Sequence, residues 1–277
     1  MGHVLVMGRT ASLAEALGAE SALKAHTIQH CFGLADAIHS LRRQPTQVLL
    51  TDPETPIGED LSLAAEISSI RPGVRIIVLA PEATTDEVIA AIRAHVFACF
   101  TAPLDVPELV DMVRAALSAT EWRDGIEVVS GLPYWLTLRV SCHMLTVDRL
   151  VAFISELQSS VPADQSDLLI AAFRELLLNA MEHGAGFDAD KVIEVTAART
   201  KRAIVYHFRD PGNGFDPDDL DHACASSNPD DVVASALRRA ERGLRPGGFG
   251  MLIARQVADE LVYNERHNEV LLIKHLD

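Results

Sequence analysis

Between residues 1 and 120, short apolar runs alternate with stretches of helical period, and that order restricts the fold more than any other feature of the sequence. The runs lie at residues 4–7, 48–50, 74–79 and 96–100, and helical patterns begin near Gly33, Asp60, Thr84 and Asp105. A weaker strand at residues 27–30 makes five. Strand–helix alternation of this kind predicts a parallel sheet with helices on both faces and functional groups at the carboxyl ends of the strands. Asp52 stands at such an end, followed by Pro53-Glu54-Thr55-Pro56, and Ala102-Pro103 follow the last strand. By its local sequence alone Asp52 reads as a loop residue preceding proline.

The spacing from Asp52 to Pro56, with Ala102-Pro103, resembles the receiver domain of response regulators over roughly residues 3–118. The resemblance implies a flavodoxin-like five-stranded domain with Asp52 at the phosphoacceptor position. It also exposes departures. Where a receiver places two acidic residues to help hold magnesium, this chain has Gly8 and Arg9; Ala80 stands at the hydroxyl position and Ala102 at the lysine position. Phosphoryl transfer needs cations to neutralise developing charge, so this pattern implies a pseudo-receiver with a poorly reactive Asp52.

A chain of 277 residues is long for one core, and a second domain is expected. Residues 121–133 contain Asp-Gly, Ser-Gly and a proline without an apolar period, and read as a linker between domains at 1–120 and 134–277. A strand is expected at residues 135–140, a helix at 146–158, and a second helix after Pro162, capped by Asp164 or Ser166 and stopping at Gly184. Along that second helix Glu175, Asn179, Glu182 and His183 share about a third of the circumference, leaving the rest to Leu176, Leu177, Leu178, Ala180 and Met181. A polar stripe on a buried helix calls for a polar partner, or else for an edge in water. Residues 192–197 and 203–208 then read as paired strands.

Two glycine-rich turns follow. In Asp210-Pro211-Gly212-Asn213-Gly214-Phe215 the glycines permit close approach by a flat ligand, and Asp210 could accept a hydrogen bond from an exocyclic amine such as adenine's. In Arg245-Pro246-Gly247-Gly248-Phe249-Gly250-Met251 the glycines open a helix expected to bury Leu252, Ile253, Val257 and Leu261, and its free amides form an anion site. The pattern is neither a Walker loop nor a Gly-x-Gly-x-x-Gly fingerprint.

In this order, these three pieces resemble the Bergerat-fold (GHKL) ATP-binding domain over about residues 134–276. Glu-x-x-x-Asn-Ala-x-x-His, from Glu175 to His183, looks closest to the anti-sigma-factor serine kinases. The resemblance implies an α+β sandwich that takes ATP and Mg2+. Asn179 would ligate magnesium, Asp210 would meet the adenine amine, Gly212 and Gly214 would line the base pocket, and Gly248 and Gly250 would lie against the phosphates. His183 closes the motif as a further cofactor-binding residue, and Glu175 would be the base acting on a serine hydroxyl. Residues 216–245, with Arg238, Arg239, Arg242 and Arg245, read as a lid.

The formal net charge of −15 disfavours nucleic acid and anionic membrane as partners. Cys31, Cys99, Cys142 and Cys224 show no metal or redox spacing, and no apolar run approaches a membrane span, so a cytoplasmic protein with reduced thiols is expected. The resemblance implies a Ser/Thr kinase acting on a regulatory protein, a STAS-type antagonist or a sigma factor, with homodimerisation by analogy. The alternative is a catalytically silent ATP-binding module that sequesters such a partner.

Overall fold

The computed structural model describes residues 2–119, 124–158, 161–214 and 249–276, with backbone alone at 163, 164, 249, 250 and 252. Contacts divide the chain into two compact units, Met1–Asp124 with Asp148–Leu157, and Gly125–Val147 with Gln158–Asp277.

The first unit alternates β1 (His3–Met7), α1 (Ser12–Ala19), β2 (Thr27–Cys31), α2 (Leu34–Arg43), β3 (Val48–Leu50), α3 (Ile57–Ile70), β4 (Arg75–Ala80), α4 (Thr85–Arg93), β5 (Ala98–Thr101) and α5 (Val106–Ser118). The strands are parallel, in the order β2-β1-β3-β4-β5, which is the doubly wound order expected for a receiver-like fold. Every residue of β1, β3 and β4 is buried, although successive side chains point to opposite faces, so both faces are covered. Helix starts follow local chemistry: Thr84 and Glu87 form a capping box for α4, and Asp105 accepts from Glu108 N at 3.0 Å to cap α5. α1 is an element that the apolar pattern did not announce.

Helix α6 (Met144–Leu157) places its last ten residues in this unit. Arg149, with 1 % of its side chain exposed, donates to the carbonyls of Phe97 at 2.7 Å and Val96 at 3.1 Å, to the Asp124 carbonyl, and to the Asp124 carboxylate at 2.6 Å. Glu156 accepts from Thr101 N at 3.1 Å and Thr101 Oγ1 at 2.7 Å. One helix therefore grips β5, the last strand of the sheet order, where the chain enters it and where it leaves.

The second unit is built on β6 (Ile126–Leu132), β7 (Trp135–Ser141), β8 (Val192–Arg199), β9 (Ala203–Arg209), β10 (Glu260–Tyr263) and β11 (Glu269–His275), all antiparallel, in the order β10-β11-β9-β8-β7-β6. Burial alternates along β7 and β9, so one face carries the core. Onto it packs α7 (Ala163–Asn179), whose Phe173 ring lies 4.9 Å from Tyr206 and 5.1 Å from Phe208. α8 (Phe249–Val257) packs against α7, completing an α+β layering.

Several local expectations change. Residues 126–132, expected within the linker, form β6, whose apolar alternation is broken by a register shift between Val128 and Ser130. The N-cap of α7 is Pro162, without a side-chain cap from Asp164 or Ser166. The helix that the second glycine turn opens ends at Val257, and Leu261 belongs to β10. Cys31, Cys99 and Cys142 are free and buried, and burial pushes the Cys31 thiol to about 12 and that of Cys142 to about 11; Cys224 lies outside the described residues.

Candidate nucleotide site

α7 holds Glu175 and Asn179 one turn apart, both half-buried, while the neighbouring Leu176, Leu177 and Leu178 are buried in the core. The helix does not stop at Gly184 as expected. It passes at Ala180–Ala185 into a π-helical turn that ends at left-handed Gly186, φ 67°, whose N–H returns to the Met181 carbonyl. Widening the turn brings His183 and Gly184 toward the end of β9. A Cβ on Gly184 would fall on the Asp210 carboxyl, so only glycine lets the two segments meet.

Asp210 stands immediately after β9, half-buried, and its Oδ1 accepts from Gly212 N at 2.8 Å. Burial raises its pKa; the Gly212 N–H opposes that, Glu269 adds to it, and His183 opposes it. Glu269 itself bonds His207 Nε2 at 3.2 Å and pairs with Arg209 Nε at 3.5 Å. A Cβ on Gly212 would lie 2.8 Å from the Gly184 carbonyl oxygen. Gly214, at φ 81°, sits so close to the Arg266 carbonyl that no Cβ fits. Two of the glycines expected to admit a flat ligand thus also admit the protein's own chain.

The structure therefore brings together His183, Asp210 and Gly212, with Glu175 and Asn179 on the helix leading into the same turn. Gly250 opens α8, where free amides suit an anion. Gly248 and the lid expected at 216–245 lie outside the described residues. The donors fit an amine-bearing base and a hydrated magnesium ion: a half-buried carboxylate with no side chain at 184 or 212 to cover it, and one amide oxygen at Asn179, enough for a metal that keeps most of its waters.

Sequence reasoning passed over Asn264 and Asn268, which border the 264–268 loop between β10 and β11. Asn268 O accepts from Asp210 N at 3.0 Å, and Asn268 Nδ2 donates to the carbonyls of Asp210 at 3.3 Å and Gly212 at 3.4 Å. Asparagines at both ends of a short strand–strand loop were the available signal.

In the first unit, Asp52 lies just past β3 and its Oδ1 accepts from Glu54 N at 3.0 Å. Arg9 pairs with Glu54 at 3.2 Å, both exposed, and Ala102 N donates to the Ala80 carbonyl at 3.0 Å.

Residues 144–274 match the family described as histidine kinase-like ATPase domain. The chain is 25% identical over 136 residues to the transcriptional regulatory proteins GlrR of Escherichia coli K12 and QseF of Escherichia coli O157:H7, a match covering 47% of this chain and 31% of each relative. It thus spans about a third of the length of those relatives. Similar solved structures include a receiver protein from Pseudomonas putida (23% identity, TM-score 0.36, 40% of this chain and 94% of that one) and the HemR receiver domain from Leptospira biflexa (15%, 0.39, 44% and 99%). Among the described residues no helix is long and apolar enough to cross a membrane. The part of the chain that matches the histidine kinase-like ATPase domain follows an α/β unit whose five parallel strands run in the order β2-β1-β3-β4-β5.

Proposed function

We propose that the chain is a signalling protein that binds ATP with Mg2+ and phosphorylates a protein partner on serine or threonine, in the manner of anti-sigma-factor kinases. The partner class is a STAS-type antagonist or a sigma factor, and the kinase works as a homodimer. What supports the reading above all is the seating of Asp210 against Gly184, at the turn continuing the helix that bears Glu175 and Asn179. Bound ATP supplies the phosphoryl group. Asn179 holds the magnesium, Asp210 accepts from the base amine, Gly212 and Gly214 shape the turn under the base, and Gly248 and Gly250 lend amides to the phosphates. Glu175 takes the proton of the partner's hydroxyl. The first unit acts as a pseudo-receiver: Arg9 pairs with Glu54 beside Asp52, where a receiver would place acidic metal ligands, so its output runs through protein contacts.

The test is transfer of labelled phosphate from ATP to a copurified partner. Glu175→Ala should lower the transfer rate by about 10² to 10⁴ while leaving ATP affinity within a few-fold, because a general base acts on the transition state. Unchanged transfer would remove Glu175 from the role. ATP binding without transfer by the wild-type chain would favour the silent, sequestering module.

A further inference from the structure

The turn that presents Asp210 is not held by its own residues alone. Asp210 bonds forward to Gly212 N, but the carbonyls of Asp210 and Gly212 both accept from the Asn268 amide, and Asp210 N donates to the Asn268 carbonyl. Asn268 is oriented in turn. Asn264 Nδ2 donates to Asn268 Oδ1 at 2.9 Å, which leaves Nδ2 of Asn268 to face the turn, and Asn264 Oδ1 accepts from Asn268 N at 3.1 Å and Glu269 N at 3.2 Å. His267 takes a left-handed φ of 57° to close this loop, and its N–H returns to the Asn264 carbonyl. The Arg266 carbonyl meanwhile fills the space where a side chain on Gly214 would stand. A two-asparagine clip at the tip of the last hairpin thus fixes the direction in which the turn holds its carboxylate.

We infer that Asn268, oriented by Asn264, is a positioning residue that sets base selectivity, by aiming Asp210 at the exocyclic amine of an adenine nucleotide. The inference rests on the nucleotide-site reading and extends it to a residue that touches no ligand. The carboxylate's acceptor direction is useful only when the backbone carrying it is fixed. Loosening that backbone weakens the amine contact and leaves stacking and phosphate contacts in place.

The experiment is calorimetric titration of the full chain with ATP–Mg2+ and with the triphosphate of purine riboside, which lacks the amine. The wild type should prefer ATP by roughly tenfold, the scale of one hydrogen bond to a charged group. In Asn268→Ala that preference should shrink to about twofold or less through weaker ATP binding, with the analogue's affinity held. Asn264→Asp keeps the oxygen that the loop amides use and loses the donor that orients Asn268. It should shift the preference the same way by a smaller factor, and it decides the matter should Asn268→Ala not fold. Equal weakening of both nucleotides in the variants, or an undiminished preference, overturns the inference while the nucleotide site stands. A wild-type chain that binds neither compound, or binds both alike, overturns the site reading itself.

Discussion

Asp60 shows what burial does to a single side chain. It lies in the first turn of α3 with 1 % of its surface exposed, and its Oδ2 has no hydrogen-bond partner among the described residues. Burial pushes its pKa from 3.8 to about 7; the Thr51 hydroxyl opposes the rise, and Asp52 and Glu59 add to it. The unfolded chain releases this proton near pH 4, whereas the folded protein holds it until about pH 7. The folded state therefore binds more protons in that window, and stability falls as pH rises through it, by an amount on the order of 2–4 kcal/mol. Asp60→Asn takes up no proton and should lose this slope, ending more stable than the wild type at about pH 8. Urea midpoints at about pH 4 and about pH 8 for the two proteins make the check, and parallel slopes would show that Asp60 is ionised in the fold. Sequence gave no access to this. An aspartate beside Glu59 at a helix start reads as a dipole-favoured surface charge, and its burial follows from the packing of α3 against α2, β4 and α4, which a local reading does not see. Asn268 escaped because its partners in the Asp210 turn lie more than fifty residues earlier.

At the scale of elements, the grip of α6 on β5 is the arrangement with the clearest energetic consequence. Removing the Arg149 guanidinium takes the partner from Asp124 Oδ1, leaving that carboxylate only His95 Nδ1 at 2.6 Å among the described residues, and uncovers the carbonyls of Val96 and Phe97; Arg149 also stacks over the Phe97 ring at 5.1 Å. Arg149→Met should destabilise the first unit by roughly 3–5 kcal/mol, the cost of breaking a buried ion pair from one side. Glu156→Gln should cost less than about 1 kcal/mol, because burial already raises the pKa of Glu156 and a neutral side chain of the same shape keeps an acceptor for Thr101. Urea unfolding followed by amide circular dichroism separates the two, and a small effect for Arg149→Met would mean that water replaces the guanidinium. Elements with a strong period were legible: the apolar runs became β1, β3, β4 and β5, and β7, β8 and β9 began where expected. What escaped lacked a period. β6 carries a bulge and a glycine, the π-turn at Ala180–Ala185 has no sequence signature, and a charged residue on the apolar side of α6 gave no hint that it points inward.

At the scale of the whole molecule, sequence family and packing divide the chain differently, and α6 is where they disagree. The family match begins at residue 144 and takes in the whole helix, yet Asp148–Leu157 clusters with the first unit. The boundary expected at 121–133 rested on composition, which marks turns but cannot register a helix that leaves one unit for the other. The difference has a measurable consequence once a ligand binds only one unit. A nucleotide seated at Asp210 stabilises the unit that holds it by RT ln(1 + [L]/Kd), about 2.7 kcal/mol at a hundredfold excess over Kd. Amides of α7, β8 and β9 that exchange through opening of that unit should slow accordingly on adding ATP–Mg2+, and amides of β1, β3 and β4 should not. Residues 148–157 settle which division is physical. If packing governs, their exchange follows β5, to which Arg149 and Glu156 bind them, and stays unchanged by nucleotide. Hydrogen exchange read by mass spectrometry resolves these peptides, and protection of 148–157 in step with α7 would assign the whole helix to the ATPase domain.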